Sequence, residues 1–470
     1  MRKKIVCLGG GSNYFIDAIR ELVLNKDLND SEVMIYDINL DKAKLMADYG
    51  KKISEIAGVK LKTLAASDLS KAVDGADFAI SSIGGIGGGK QGFHDPKGVH
   101  IKDILTCAKY GIFQVVGDTG GPAAMMTAFR SIPIYMEICK EMEKRCPNVI
   151  LFNHSNPMAI LCRAMNKYTK IRQVVGMCHG VQKGKRFLSA LLNIPVEELD
   201  IVWVGTNHYH WFTEIYHKGK SVYDRVKELM PLYQPKENEV MFKKFCSVYG
   251  YQLTYPSDNH IIEFYPFLTQ LKNGELPYRL REAPHGPEIM EAYIKHCFAL
   301  EDNVKKDNHQ MSLKEELDKV FKEFTSKIEE LKNNKGLVID LEKEMATGES
   351  LGNLIADISV GRRNVYIVNI PNKGAVSNLP SEAVLEIEGV TDSHGIRGIH
   401  AGEAPLALKG LLEKAIAMQE IMVDAGVKGD KKLALQALML DEMAILPDKA
   451  ESMLNELLIN SKNFLPQFNK

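Results

Sequence analysis

Two short segments carry the side chains best suited to chemistry. Val174-Val175-Gly176-Met177-Cys178-His179-Gly180-Val181 and Gly205-Thr206-Asn207-His208-Tyr209-His210-Trp211 each run apolar and then turn to a thiol or an imidazole. A strand that delivers a side chain to the rim of a sheet has this pattern. Cys178 and His208 are far apart in sequence, so only the fold could join them around one divalent metal. Two protein ligands, with water or substrate filling the other positions, suit an open catalytic site and not a closed structural one. The plainer reading makes Cys178 a small buried hydrophobe and His208 a satisfied core histidine.

The elements that must position these residues follow an alternating order. Lys3 to Leu8 reads as a buried strand, Gly9-Gly10-Gly11-Ser12 as a tight turn, the stretch through Leu24 as an amphipathic helix, and Val33 to Asp37 as a second strand ending in an acid. Glycines there let the backbone approach a pyrophosphate, and the free N–H groups at the helix start favour its charge. Asp37 would accept hydrogen bonds from an adenosine ribose and repel a 2′-phosphate, which favours NAD over NADP. Tyr14 stands where the third glycine of the usual fingerprint would fall. Ala79–Ile83, Gln114–Asp118 and Val149–Phe152 read as further strands. Each is followed by a glycine- or asparagine-rich loop: Gly84 to Gly89, Thr119-Gly120-Gly121-Pro122, and Asn153-His154-Ser155-Asn156-Pro157. In a parallel sheet such loops gather where ligands bind. Turn chemistry alone explains the glycines. It accounts less well for Asn153, His154 and Asn156 together.

Further on, Asp258, His260 and Glu263 fall within two helical turns. Residues from about Glu301 to Glu349 are dense in Lys and Glu, with Leu313, Leu317, Phe321, Phe324, Ile328 and Leu331 at helical spacing. This predicts an exposed helix that packs one face. Asn364–Pro371 and Ala383–Ile387 read as strands, and the chain from Pro405 onward as helical.

Length and composition set bounds. A chain of 470 residues is long enough for two or three domains. Its 45% hydrophobic and 25% charged content is that of a globular protein, and a net charge of −1 gives no reason to expect nucleic acid or an anionic membrane as partner. No apolar run approaches a membrane span. The basic-then-apolar start is too short for a signal peptide and is broken by Gly9-Gly10-Gly11. Eight cysteines without CxxC spacing do not form a disulfide framework. A cytoplasmic location is the expectation.

Ser155-Asn156-Pro157, Cys178-His179-Gly180-Val181, Asn207-His208 ahead of Trp211, and Asn372-Lys373-Gly374 leading to Asn378-Leu379-Pro380 occur in that order. With the Gly9-Gly10-Gly11-Ser12 turn they make nearly the whole chain resemble glycoside hydrolase family 4, the NAD- and manganese-dependent glycosidases. The resemblance implies an α/β fold: a Rossmann-like doubly wound parallel sheet over residues 1–200, joined to a second α/β (α+β) domain over 201–470 for substrate, metal and oligomerisation. Its members are dimers or tetramers, so a homodimer or homotetramer is expected. It also implies a chemistry without the usual two flanking carboxylates. The sugar is oxidised at C3, deprotonated at C2, relieved of its leaving group at C1, hydrated and reduced again.

Carried over residue by residue, Cys178 and His208 match the metal ligands, and Gly9, Gly11, Ser12 and Asp37 the NAD site. Asn156 matches a substrate contact that Asn153 could share. His179 stands where some members carry the acid that assists the leaving group. Tyr251 falls near the tyrosine that several members use as base, though an ordinary half-buried aromatic fits it equally. Asp258 matches an aspartate in or beside that role. His-Gly after the metal cysteine is similar to the α-glucuronidase and α-galacturonidase members. Glycine at 180 removes an anion that a uronate would not tolerate, unless it merely serves a turn. Lys90, His94 and Arg281 are the candidates to receive the uronate carboxylate. The substrate expected is therefore an α-linked uronide. An α-glucosidase or α-galactosidase of the same family, an NAD-dependent 2-hydroxyacid or polyol dehydrogenase, and a non-catalytic NAD sensor are the other readings.

Overall fold

The computed structural model describes residues 2–84, 98–114, 116–236, 239–265, 312–335, 350–440 and 446–469. In chain order the elements are β1 (Lys4–Leu8), α1 (Tyr14–Leu24), β2 (Glu32–Tyr36), α2 (Leu40–Ala57), β3 (Lys62–Ala66), α3 (Leu69–Val73), β4 (Phe78–Ser81), α4 (Val99–Lys109), α5 (Gly121–Arg145), β5 (Ile150–Asn153), α6 (Met158–Tyr168), β6 (Gln173–Gly176) and α7 (Gly180–Leu192). Then come β7 (Leu199–Thr206), β8 (Tyr209–His217), β9 (Lys220–Ser221), α8 (Tyr223–Leu229), α9 (Val240–Tyr249), β10 (Gln252–Leu253), α10 (Asp258–Phe264), α11 (Leu313–Lys335) and α12 (Leu351–Val360). β11 (Val365–Pro371), β12 (Val384–Asp392), β13 (Gly395–Gly398), α13 (Leu406–Lys428), α14 (Lys431–Leu440) and α15 (Pro447–Asn460) follow.

Parallel strands covered on both faces read as unbroken apolar runs, and β1 is such a run. Its Ile5 and Cys7 pack into one core layer with Phe15 and Ile19 of α1, while Val6 and Leu8 pack into the other with Met125 and Phe129 of α5. Helix α1 buries Phe15, Ile19 and Leu22, which the 3.6-residue period sets on one stripe. Strands β3-β2-β1-β4-β5-β6 lie side by side in that order and run parallel. The order reverses direction between β1 and β4, and ligands bind beyond the carboxyl ends at such a switch point.

The sheet continues past β6. Strands β11, β12 and β13 add to it antiparallel, giving nine strands. An expected division at residues 200/201 therefore crosses this sheet, whose far edge comes from beyond residue 360. A second sheet is the hairpin β7–β8 with β10 and β9 on β8. The stretch Gln114 to Asp118, expected as a strand, is a loop in its described residues. Gln114 explains the difference: its side chain donates to Gly120 O at 3.0 Å and accepts from Ala123 N at 3.1 Å, tying the loop to the start of α5. Helix α11 forms as its periodicity predicts and buries Leu317, Phe324 and Ile328.

Candidate active site

The fold brings Cys178 and His208 together, with Sγ and Nε2 3.4 Å apart. Cys178 lies two residues beyond the end of β6, just before α7. His208 is not at a strand end. Asn207 and His208 are the two residues of the tight turn joining β7 to β8, and His208 takes φ +59° there. Of the two turn residues only His208 is left-handed, a conformation uncommon outside glycine and asparagine. The His208 ring is buried, and its Nδ1 has no hydrogen-bond partner among the described residues. Burial, then the neighbouring His260 and His210, holds its pKa well below the usual value. The ring is thus a neutral imidazole, the form that ligates metals. Burial first, then Glu386, pushes the Cys178 thiol up to about 12. A cation beside the sulfur reverses that balance, because coordination deprotonates a thiol.

Around this pair the loops close in. His260 of α10 stacks on His208, with ring centroids 4.4 Å apart and planes 6° from parallel. Tyr255 meets His208 edge-on at 4.6 Å. Its hydroxyl accepts from Lys183 Nζ at 2.8 Å. Gly184, one helical residue further on, lies so close to the segment after β10 that a Cβ on it would lie 1.9 Å from Thr254 O. Only glycine lets α7 approach this way and set Lys183 against Tyr255.

His260 also belongs to a cluster with the half-buried Asp118 and the buried Glu263, whose ligand atoms lie close enough to hold a cation. Glu263 Oε2 accepts from Thr119 N, Thr119 Oγ1 and Gly120 N at 2.8, 2.8 and 2.9 Å, and Oε1 accepts from His260 Nδ1 at 3.1 Å. Burial raises the Glu263 pKa, but His260 and these donors outweigh it and the net shift is down. Asp118 moves up, through burial and then the charge of Glu263. This carboxylate pair is not the acid and nucleophile of an ordinary glycosidase, because both oxygens of Glu263 are already engaged by protein donors. Asn156 Nδ2 donates to Asp118 Oδ2 at 2.8 Å, and Asn156 Oδ1 has no partner among the described residues.

The glycine-rich turn opens at the same edge of the sheet. Gly9 has φ +74°, and a Cβ on it would lie 2.6 Å from Ser82 O. Asp37 Oδ2 accepts from Gly11 N at 2.9 Å and Oδ1 from Asn39 N at 2.8 Å, which holds the acid beside the turn. Ser12 Oγ is 3.3 Å from Ser82 Oγ. Asn13 donates to Glu316 of α11, which roofs the turn. Tyr14 is not spare: its hydroxyl lies 2.7 Å from His154 Nε2, linking the turn to the loop that carries Asn156.

Residues 4–194 match the family 4 glycosyl hydrolase model, and residues 203–444 match the family 4 glycosyl hydrolase C-terminal domain. The chain belongs to glycosyl hydrolase family 4. It is 27% identical to an α-galactosidase of Bacillus subtilis, over 99% of this chain and 100% of that one. It is 26% identical to an α-galacturonidase of Thermoanaerobacterium saccharolyticum, over 98% and 96%. Among solved structures, a 6-phospho-α-glucosidase from gut microorganisms in complex with NAD and Mn²⁺ superposes with a TM-score of 0.71 at 18% identity, over 99% of this chain and 100% of that one. The 6-phospho-β-glucosidase of Thermotoga maritima with manganese, NAD⁺ and glucose-6-phosphate gives 0.68 at 21%, over 98% and 99%.

Within this family 4 fold the residues singled out by sequence fall into three groups. Cys178, His208, His179 and Asn156 converge, with His179 exposed at the start of α7. Gly9, Gly11, Ser12 and Asp37 converge separately at the turn. Others do not join either group. Tyr251 packs against Tyr223, ring centroids 6.3 Å apart. It precedes β10, which runs toward the hairpin turn one residue at a time, Gln252 opposite Phe212 and Leu253 opposite Trp211. Tyr251 is thus four residues short of Tyr255, a reach of at most about 13 Å along the chain. Asn153 is fully buried, with Oδ1 accepting from Tyr135 Oη at 2.8 Å and Ser81 Oγ at 3.1 Å, and Nδ2 donating to Ser155 O at 3.0 Å. It shapes the loop from within the core. Asp258 opens α10, and its side chain lies outside the described residues, as do Lys90, His94 and Arg281. Sequence reasoning missed Tyr255, Lys183, Asp118 and Glu386. Only the apolar-to-polar switch at Thr254-Tyr255-Pro256 hinted at the first.

Proposed function

We propose that this chain hydrolyses α-linked uronides by transient oxidation of the sugar, with NAD at the Gly9–Ser12 turn and a divalent transition metal, Mn²⁺ foremost, at Cys178 and His208. The single observation that carries this reading is the approach of a thiol and a neutral imidazole on the same sheet edge as a ribose-ready acid and a cradle that a Cβ would fill. The residues fit both groups. Bound NAD would supply a hydride acceptor for C3 of the sugar, and the metal a Lewis acid for the C2 and C3 oxygens.

The chain's own residues do the rest. Tyr255, with Lys183 donating to its hydroxyl, takes the C2 proton. This role passes to Tyr255 in place of Tyr251. His179 gives a proton to the departing glycosidic oxygen. Asn156, through its partnerless Oδ1, receives a sugar hydroxyl. Lys90, His94 and Arg281 are proposed to hold the uronate carboxylate. Gly180 supports the substrate class: a Cβ there would lie 3.3 Å from His208 Nδ1 and 3.4 Å from Tyr255 Cδ2. Any side chain at 180 therefore borders the reacting centre directly, and glycine leaves it uncharged.

The test is turnover of aryl glycosides in D₂O with NAD, Mn²⁺ and thiol. Deuterium at C2 of the product, no net NADH, and a preference for α-uronides are expected. Product without C2 deuterium would rule out elimination, stoichiometric NADH would make the protein a dehydrogenase, and equal rates on an α-glucoside would sink the uronide assignment.

A further inference from the structure

The metal ligands do not hold themselves in place. His208 sits in a left-handed conformation, which costs a residue with a Cβ, in the two-residue turn that the Thr206–Tyr209 pair closes. Strand β12, from the far edge of the main sheet, reaches behind that turn. Trp203 Nε1 donates to Glu386 O at 2.8 Å, and Thr206 Oγ1 donates to Val384 O at 3.2 Å, so the strand grips the hairpin just ahead of its turn. Between these contacts the Glu386 carboxylate is fully buried. Its Oε2 accepts from Asn207 Nδ2 at 2.9 Å and from His210 Nε2 at 3.0 Å, the residue before His208 and the one two places after it.

A buried carboxylate is costly unless it is matched, and an apolar residue of similar size packs as well or better. The donors to Glu386 Oε2 are residues next to one metal ligand, while the buried Oε1 has no hydrogen-bond partner among the described residues. We propose that Glu386 is a positioning residue of the metal pair: through Asn207 and His210 it fixes the turn that presents His208 to Cys178. The proposal rests on the reading of Cys178 and His208 as metal ligands. It also makes completion of the site depend on docking of β12, so the carboxyl-terminal strands serve the chemistry and do not merely widen the sheet.

Groups behind the ligands typically change metal affinity by about 10- to 100-fold when removed. The probe is Co²⁺ added to the metal-free full-length chain, followed by calorimetry and by the near-ultraviolet thiolate-to-cobalt absorption. Glu386→Ala is expected to weaken Co²⁺ by about 10- to 100-fold and to diminish or shift that band. Glu386→Gln, which can still accept from Asn207 and His210, should recover most of the affinity. Asn207→Ala, which removes the donor next to His208 while leaving the buried carboxylate with His210, should weaken Co²⁺ binding even if Glu386→Ala folds poorly. Unchanged Co²⁺ affinity and band in a folded Glu386→Ala with a lowered Tm would make the residue structural only and overturn the proposal. So would a glutamine variant no better than alanine. The ligand reading is tested separately: wild type should show the band and Cys178→Ser should lose it. A wild type without the band removes the metal site itself, whatever Glu386 does.

Discussion

The cofactor turn and the metal pair are built by opposite strategies. The turn draws on 34 consecutive residues, Lys4 to Asp37, in which β1, α1 and β2 follow one another along the chain and the two strands pair. The metal pair draws on the end of β6, the β7–β8 turn, the segment Thr254 to Glu263 and β12, so its parts span residues 178 to 386. The first is a local motif with a rigid backbone. The second exists only after a hairpin, a loop and a late strand have docked against one another. A local site is damaged by one bad backbone contact, whereas an assembled site is damaged by losing any of several side chains that hold one another.

The sharpest way to break the comparison lies in the assembled site. Tyr255→Phe should lower turnover by about 10²- to 10⁴-fold, the usual yield of a positioned acid or base, while leaving NAD and Co²⁺ binding unchanged. Tyr251→Phe, whose ring faces Tyr223 instead, should stay near wild type. Steady-state rates on the same aryl glycoside decide between them. If Tyr251→Phe is the damaged variant, the geometry around His208 has been misread and the base lies elsewhere.

That contrast also explains what was legible from sequence. Strand runs, the glycine turn, Asp37 and the periodic helix at Leu313 to Lys335 declare themselves through local pattern. The metal pair was visible because soft and imidazole ligands after apolar runs are unusual at a strand's end. Tyr255 was not, because three tyrosines stand within seven residues, Tyr249, Tyr251 and Tyr255, and only the register of β10 against β8 selects one. Asn153 misled for a related reason. A polar residue after a strand looks free in sequence, yet its side chain turned back to Tyr135 and Ser81. Glu386 was hidden inside Val384-Leu385-Glu386-Ile387, where alternation reads a charge as solvent-facing, and the hairpin that covers it is 180 residues away.

A smaller effect sharpens the local side. Asp37→Ala should weaken NAD about tenfold, the scale of charge-assisted hydrogen bonds to a ribose, and leave Co²⁺ binding at Cys178 untouched. Gly9→Ala should do the same and also cost stability on the order of 1–2 kcal/mol, because φ +74° disfavours a Cβ. Calorimetry with each ligand separately checks both. Loss of Co²⁺ affinity in either variant would mean that the two regions are coupled more tightly than their separate construction implies.

The smallest predicted effect concerns a bridge between them. His154 lies 2.7 Å from the Tyr14 hydroxyl, with the rings 4.3 Å apart, and its loop carries Asn156 toward Asp118. Burial lowers its pKa from 6.5 to about 3. In the unfolded chain the ring takes up a proton near its ordinary value, so between pH 6.5 and about 3 the unfolded state binds more protons than the folded one. Stability from this group is therefore whole above pH 6.5 and lost as pH falls, at up to about 1.4 kcal/mol per pH unit. His208 adds to the slope in the same direction in the metal-free protein, so the group must be isolated by substitution. His154→Gln keeps a polar partner for Tyr14 but cannot take the proton. Urea unfolding of the metal-free chain from pH 7 to pH 5 should show a shallower acid slope in this variant, by at most one proton. An unchanged slope would mean that His154 is already accessible to protonation in the folded protein, and that the bridge between the two regions is open to water.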